Sequence, residues 1–156
     1  MDKWMMKAIE ADQEKTAIVT SVLSALPDWF GIPESTKEYI DNSMLYPMFA
    51  AFTDSCVIGF ISLKPTTEKA MEIYVMGVMP AFHRQGVGKQ LIIEAEFFIR
   101  KNGYRLFHVK TVSPQAKYAS YLKTYQFYQS LGFIDLEVLP IWDKNNPCLL
   151  MVKEVV

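Results

Sequence analysis

The stretch Val78-Met79-Pro80-Ala81-Phe82-His83-Arg84-Gln85-Gly86-Val87-Gly88-Lys89-Gln90-Leu91 joins an extended apolar run to a strongly helical pattern. This pattern predicts a strand, a tight loop and the N-terminus of a helix. Helix N-termini present unpaired N–H groups and a partial positive charge, and they therefore bind anions. Gly86 and Gly88 lack a Cβ, so a phosphate can approach their amides closely. Because Arg84 and Lys89 add positive charge, the stretch predicts a binding site for a diphosphate.

Two common nucleotide-binding motifs do not fit this loop. A Walker loop requires Ser or Thr after the Gly-Lys pair and Gly at position 83, where this chain has Gln90 and His83. A dinucleotide fingerprint requires a third small residue at position 91, which is Leu91. The sequence therefore disfavours a nucleotide-binding regulator that uses this loop.

Length and composition predict a single globular domain over residues 1–156. Apolar residues make up 51% of the chain and charged residues 21%, which is typical of a folded protein. The net charge of -1 gives no reason to expect a nucleic acid or an anionic membrane as partner. Cys56 and Cys148 lie in apolar runs without metal-ligand spacing. They predict reduced, buried thiols in a cytoplasmic protein that has no metal site.

Hydrophobic periodicity and turn residues predict the element order β-α-α-β-β-β-α-β-α-β-β. The predicted strands span 4–9, 47–53, 56–63, 70–79, 104–112, 134–139 and 148–155. Helices are predicted at 12–26 with Asp12 as cap, at 33–43, from the glycine loop to Asn102, and at 117–131. Strand, helix and strand between 70 and 112 predict a right-handed parallel crossover. In the strand 70–79, alternation is expected to place Met71, Ile73 and Val75 on one face and Glu72, Tyr74 and Met76 on the other.

The glycine loop resembles the acetyl-CoA loop of the GNAT N-acetyltransferases, Gln/Arg-x-x-Gly-x-Gly/Ala. Gly86 and Gly88 match its glycines, and His83 stands at the Gln/Arg position. The stretch Phe127-Tyr128-Gln129-Ser130-Leu131-Gly132-Phe133 resembles the Phe-Tyr-x-x-x-Gly-Phe helix end of the same family. Both motifs lie in the right order on the predicted elements. The resemblance implies an α/β fold with a central mixed, mostly antiparallel, splayed sheet of about seven strands flanked by helices.

The resemblance also implies acetyl-CoA as co-substrate. In this family the fourth and fifth strands separate, and the pantetheine arm pairs with the backbone of the fourth. The Val78 N–H is then expected to donate to the thioester oxygen, and the amine attacks the thioester directly in a ternary complex. The implied cofactor-binding residues are Met76, Gly77 and Val78 on the strand, with His83, Arg84, Gln85, Gly86, Val87, Gly88 and Lys89 in the loop.

Two catalytic residues follow from the resemblance. Tyr128 matches the family's tyrosine that points at the thioester sulfur and protonates it, whereas Tyr125 is expected in the core. Glu72 matches the glutamate of the histone-acetyltransferase branch, which deprotonates the amine through water. The ammonium form of an amine has a pKa of about 10, so it must lose a proton before the amine can attack the thioester. Tyr74, or water alone, is the alternative base.

The acceptor side is expected to include Trp29, Phe30, Tyr74 and Trp142, with Asp28 and Asp143 beside them. Aromatic walls with carboxylates suit a cationic, partly apolar amine. A small amine, antibiotic-like compound or polyamine is the expected acceptor, and a protein lysine or N-terminus remains an alternative. A sensor that binds acyl-CoA without turnover is the rival class, and a homodimer is left open.

Overall fold

The structure, a computed structural model, describes residues 4–156. Its strands are β1 (Met5–Ile9), β2 (Met48–Thr53), β3 (Cys56–Pro65), β4 (Ala70–Val78), β5 (Leu106–Val112), β6 (Ile134–Leu139) and β7 (Cys148–Glu154). The helices are α1 (Asp12–Ser24), α2 (Pro33–Ser43), α3 (Val87–Lys101) and α4 (Ala119–Ser130). Short 3₁₀ turns at Pro80–Phe82 and Pro114–Ala116 precede α3 and α4. The element order is the predicted one.

The seven strands form one sheet in the order β1-β2-β3-β4-β5-β7-β6. All neighbours run antiparallel except β4 and β5, which are parallel and connected through α3. Asp54 and Ser55 adopt positive φ angles of 49° and 66°, as a two-residue hairpin turn between β2 and β3 requires. The predicted mixed, mostly antiparallel sheet is therefore confirmed.

Strands β4 and β5 pair over a short segment only. Ala70 to Ile73 face Leu106 to Val109, and the pairing ends there. Strand β4 nevertheless continues to Val78 and β5 to Val112. The two strands thus separate toward their carboxyl ends, and we call the gap between residues 74–78 and 110–112 the splay.

Each face of the sheet carries its own hydrophobic core. On the α3 face, buried side chains of α3, β5 and the segment after α4 pack together, among them Leu91, Phe107 and Phe133. On the α1 face, Val19, Val22 and Leu23 of α1 pack against β3 and β4. A Cβ at Gly77 would lie 3.0 Å from Val22 Cγ1 and 2.9 Å from Leu26 Cδ1, so glycine lets α1 approach β4 closely.

The predicted alternation along β4 is wrong beyond Ile73. Ser62 of β3 pairs with Val75 and Leu63 with Ile73, so Tyr74 is an extra residue, a β-bulge. A bulge reverses which face the following residues occupy. Val75 therefore packs on the α1 face, whereas Ile73 and Met76 pack on the α3 face.

Three further expectations need correction. Asp12 is the first residue of α1 and does not cap it, because Ala11 occupies the cap position without a side-chain hydrogen bond. Cys56 is exposed because it starts β3 directly after the hairpin turn, whereas Cys148 is buried, and both are free thiols. Helix α4 begins at Ala119, since Lys117 adopts a left-handed φ of 61°. No helix among residues 4–156 has the length and hydropathy to cross a bilayer.

Candidate active site

The glycine loop presents a row of free amides at the open end of the splay. Within residues 4–156, the backbone N–H groups of residues 84 to 89 donate to no protein acceptor, and the next amide in line, that of Gln90, bonds to the Gly86 carbonyl. Arg84 and Gly86 have positive φ angles of 62° and 91°. Such turns aim successive amides at one point and form anion-binding concavities. The loop therefore has the geometry of an anion-binding site.

Gly88 has a packing role in addition to its place in the loop. A Cβ at this position would lie 3.0 Å from Cζ of Phe127 on α4. The glycine therefore lets α4 approach the first turn of α3. This contact links the two motifs that were noted in the sequence.

His83 and Trp29 lie together at the open end of the splay. The His83 Nε2 atom is 2.6 Å from the Val78 carbonyl oxygen, and its ring makes an edge contact with Trp29 at 5.8 Å between centroids. Trp29 Nε1 donates to Thr124 Oγ1 at 3.0 Å, and Tyr121 Oη donates to the Trp29 carbonyl at 2.9 Å. Trp29 therefore fastens the loop after α1 to α4.

Tyr128 is buried on α4 between Phe127 and Phe133. Its hydroxyl makes no hydrogen bond to another atom of residues 4–156. Burial raises the pKa of Tyr128, and the nearby hydroxyl of Tyr39 raises it further. Tyr128 therefore keeps its proton at neutral pH, and its hydroxyl can donate a hydrogen bond.

Glu72 is buried at the base of the splay and forms an ion pair across it. Its Oε2 atom accepts a hydrogen bond of 2.8 Å from Lys110 Nζ. The Glu72 side chain is only 7% exposed, but that of Lys110 is 32% exposed. Oε1 of Glu72 accepts no hydrogen bond from the described residues. The solvent-facing part of the pair is thus the ammonium, while one carboxylate oxygen remains available.

Two more basic side chains flank Glu72 in the sheet register. Lys64 of β3 and His108 of β5 lie directly opposite it on the neighbouring strands, so both share its face. His108 Nε2 lies 2.8 Å from Thr66 Oγ1, and its buried Nδ1 atom has no partner in the described part of the chain. Burial lowers the pKa of His108. The imidazole is therefore neutral at neutral pH.

A cluster of aromatic rings borders the acceptor side of the splay. Tyr39 of α2 makes edge contacts with Phe30 and Tyr74 at 5.9 and 5.3 Å between centroids, and Tyr74 contacts Tyr46 at 5.0 Å. Burial raises the pKa of Tyr39 to about 12, with smaller contributions from Tyr74 and Glu72 among others. The Tyr74 hydroxyl bonds to Asn42 Nδ2 at 3.0 Å. This cluster includes the predicted Phe30 and Tyr74.

The remaining predicted aromatic residue lies elsewhere. Trp142 is 39% exposed in the loop between β6 and β7. This loop is at the same end of the sheet as the opening of the splay, because Cys148 pairs with Val112, but it follows the outermost strand. Asp143 folds back on its own loop and accepts from the Asn145 and Asn146 nitrogens. Tyr125 is partly buried and packs against the α3-face core, while its hydroxyl donates to Asp135 at an exposed position.

Sequence reasoning missed Tyr39, His108 and Lys110. Tyr39 and Asn42 are three apart on α2, and they therefore lie on one side of that helix. Since α2 follows the loop that contains Trp29 and Phe30, this spacing could have indicated that Tyr39 and Asn42 lie near the same site. The partners of Glu72 carried no such signal, because Lys110 is 38 residues away along the chain.

Residues 16–133 match the family described as acetyltransferase (GNAT). The chain belongs to this family. This membership confirms the predictions of an acetyltransferase and of acetyl-CoA as its co-substrate. A stretch of 53 residues is 42% identical to spermidine N(1)-acetyltransferase of Thermoplasma acidophilum, and it covers 34% of this chain and only 32% of that protein.

Two solved structures share the fold over nearly the whole chain. A GNAT-family chain from Desulfovibrio desulfuricans superposes with a TM-score of 0.83 at 22% identity, covering 98% of this chain and 99% of that one. An aminoglycoside 6'-N-acetyltransferase in complex with coenzyme A superposes with a TM-score of 0.74 at 19% identity, covering 96% of this chain and 97% of that one. At these identities the likeness is one of fold.

Proposed function

We propose that the protein transfers the acetyl group of acetyl-CoA to a primary amine of a small molecule, directly and within a ternary complex. The splay carries this proposal, since its open end meets the free amides of residues 84 to 89 and its base meets Glu72. The named relatives act on small amines, spermidine and aminoglycosides, which supports an amine acceptor.

The free edge of β4 suits the pantetheine arm. The Met79 N–H donates to the Ile58 carbonyl of β3 at 2.8 Å, so the preceding carbonyl, that of Val78, points the other way. In a strand the N–H and C=O of one residue share a side, and the Val78 N–H therefore faces the splay. Residues 74 to 78 span about 13 Å, so an extended arm anchored by its diphosphate at the loop reaches toward Glu72.

The proposed cofactor residues then divide by role. The amides of Arg84, Gln85, Gly86, Val87, Gly88 and Lys89 hold the diphosphate, while Met76, Gly77 and Val78 line the arm. His83 is proposed to orient the end of β4, because its ring holds the Val78 carbonyl. The Val78 N–H is proposed to bind the thioester oxygen, where one preorganised donor is worth about 2.7–4 kcal/mol of transition-state stabilisation.

Catalysis is assigned to Tyr128 and Glu72. The thiol of CoA has a pKa of about 8.5, so the thiolate can leave without being fully protonated. A hydrogen bond from Tyr128 is then enough to assist its departure. Glu72 is proposed to accept the proton of the amine at Oε1, directly or through water, since Lys110 occupies Oε2. Burial raises the pKa of Tyr74, which argues against Tyr74 as the base at neutral pH.

Thiol release from acetyl-CoA, measured over a panel of primary amines, tests this function. Turnover that depends on both acetyl-CoA and an amine, with a mass increase of one acetyl group on the amine, is expected. Calorimetry with acetyl-CoA, CoA and ATP separates the rival classes. Tight acetyl-CoA binding without turnover on any amine or peptide would indicate a sensor, and a preference for ATP would contradict the proposal.

A further inference from the structure

The charges at the base of the splay restrict which amine fits there. Lys110 is the first residue of β5 beyond its pairing with β4, so its ammonium lies where the strands begin to separate. Within residues 4–156, this ammonium donates one hydrogen bond, to Glu72. An ammonium has three N–H donors, and the other two donors of Lys110 remain available at a side chain that is 32% exposed.

Glu72 does not present a free anionic site to a polycation. Its carboxylate pairs with the more exposed Lys110 and lies in the register between Lys64 and the neutral imidazole of His108. Lys64 Nζ lies 5.8 Å from the centre of the Tyr74 ring, on the same border. Asp143, which the sequence placed beside the acceptor, is engaged within its own loop. Of the two charges of the ion pair, that of Lys110 is therefore the more exposed to an incoming ligand.

The two halves of the ion pair match two groups of opposite charge on one ligand. Oε1 of Glu72 is available for an ammonium or amine, and the free donors of Lys110 for a carboxylate. Glu38 on α2 contributes to the raised pKa of Tyr74, so it adds one exposed acidic group near the Tyr74 ring. The aromatic rings of Tyr39, Tyr74 and Phe30 then border an apolar portion of the ligand.

We propose that Lys110 determines acceptor specificity by binding a carboxylate, and that the acceptor is a small primary amine that also carries a carboxylate, as an amino acid does. This inference rests on the proposed N-acetyltransferase function and narrows its acceptor. Polyamines and aminoglycosides, which lack a carboxylate, are poor acceptors because they place cationic groups against Lys110 and Lys64.

Matched pairs of amines that differ by one carboxylate test this inference. L-phenylalanine is compared with 2-phenylethylamine and L-lysine with cadaverine, and spermidine serves as a polycation. We expect kcat/KM to be at least about tenfold higher for the member that carries the carboxylate, the effect of one charge-assisted hydrogen-bonded pair. Equal values for both members, or a preference for spermidine, would overturn the inference.

Variants at position 110 separate specificity from structure. Lys110→Met is expected to raise KM for the carboxylate-bearing member at least about tenfold more than KM for its partner. Because Lys110 pairs with Glu72, any change that acts through Glu72 should lower kcat equally for both members. Lys110→Arg should retain the discrimination, and Lys64→Met, across Glu72, is the matched control. An equal effect on both members would show a merely structural role and would overturn the inference.

A binding measurement keeps the inference distinct from the proposed activity. Calorimetry with the CoA-bound protein compares the two members of each pair, using the wild type, Lys110→Met and the double variant Glu72→Gln/Lys110→Met. The double variant removes both charges and so avoids leaving a buried carboxylate unpaired. The inference is supported if the wild type binds the carboxylate-bearing amine more tightly than its partner and both variants lose this preference. This result counts even if no amine is acetylated. Binding without this preference overturns it.

Discussion

In the proposed site, backbone groups form the cofactor side of the splay, whereas side chains form its acceptor side. The loop offers the free amides of residues 84 to 89, and β4 offers an unpaired edge. The acceptor side offers an ion pair, Glu72 with Lys110, and a ring cluster around Tyr39. A site formed by backbone groups can bind the same ligand in proteins whose side chains differ. A site formed by side chains can bind different acceptors in proteins that share the fold.

Reversing charge at the loop is expected to have the largest effect. The double variant Arg84→Glu/Lys89→Glu places two negative groups beside the free amides, at exposed positions that cost little packing. We expect acetyl-CoA affinity to fall about 10³-fold, as for two unfavourable charges of about 2 kcal/mol each. Calorimetry measures the affinity, and the melting temperature should hold.

Lys101→Glu at the other end of α3 is the control, since it reverses one positive charge, half the change of the double variant, about 18 Å from Lys89 along the helix axis. If both proteins bind acetyl-CoA as tightly as the wild type, the diphosphate does not bind at this loop. Gly88→Asp also blocks the loop, but its Cβ would press on Phe127. It is therefore expected to lower the melting temperature as well, and it separates binding from folding less cleanly.

Removing the Tyr128 hydroxyl sharpens the comparison, because this side chain is the one proposed to act on the cofactor. Tyr128→Phe keeps the ring in its contacts with Phe127 and Phe133. We expect kcat to fall about 10²-fold, with acetyl-CoA affinity nearly unchanged. Since burial raises the pKa of Tyr128, it stays protonated, and the loss should be constant from pH 6 to pH 9.

Tyr125→Phe is the matched control, three residues earlier on the same helix. It removes the hydrogen bond to Asp135 on the outer side of α4 and should leave kcat within about twofold. A large loss in Tyr125→Phe with normal turnover in Tyr128→Phe would show that the wrong tyrosine is assigned. Normal turnover in both would mean that the thiolate leaves unassisted.

The acceptor side is tested by Glu72→Gln, which keeps the shape of the side chain and removes its charge. We expect kcat/KM to fall about tenfold near pH 6.5 and less near pH 9, where more of the amine arrives neutral. Acetyl-CoA affinity should hardly change. The pH–rate profile of Glu38→Gln, an exposed carboxylate on the same side, provides the comparison. An unchanged pH–rate profile in Glu72→Gln would indicate that water, and not Glu72, accepts the proton of the amine.

The smallest expected effect is on stability and comes from His108. Because burial lowers its pKa, the unfolded chain takes up the proton more readily than the folded one. Its contribution to stability is therefore present above about pH 6.5 and is lost as the pH falls toward the lowered pKa. His108→Gln should show a smaller decline in melting temperature between pH 7.5 and pH 5.5 than the wild type. An equal decline would exclude His108 as its source.

The two sides differ in how far sequence reasoning could go. The loop was predictable because Gly86 and Gly88 satisfy a local requirement for backbone geometry that shows in consecutive residues. The seven strands were predictable from alternation and turns. The bulge at Tyr74 was not, since it arises from the register between β3 and β4. The Glu72–Lys110 pair likewise depends on the register between β4 and β5, which one chain does not reveal.

Hydrogen–deuterium exchange with and without acetyl-CoA tests the central claim most directly, that the splay and its loop form the cofactor site. The amides of residues 84 to 89 have no acceptor in the described part of the chain and should exchange rapidly in the free protein. We predict that saturating acetyl-CoA slows exchange of peptides covering 74–78 and 84–89, and that Arg84→Glu/Lys89→Glu abolishes this protection. Protection confined to other segments, or none at a concentration that saturates binding, would contradict the account.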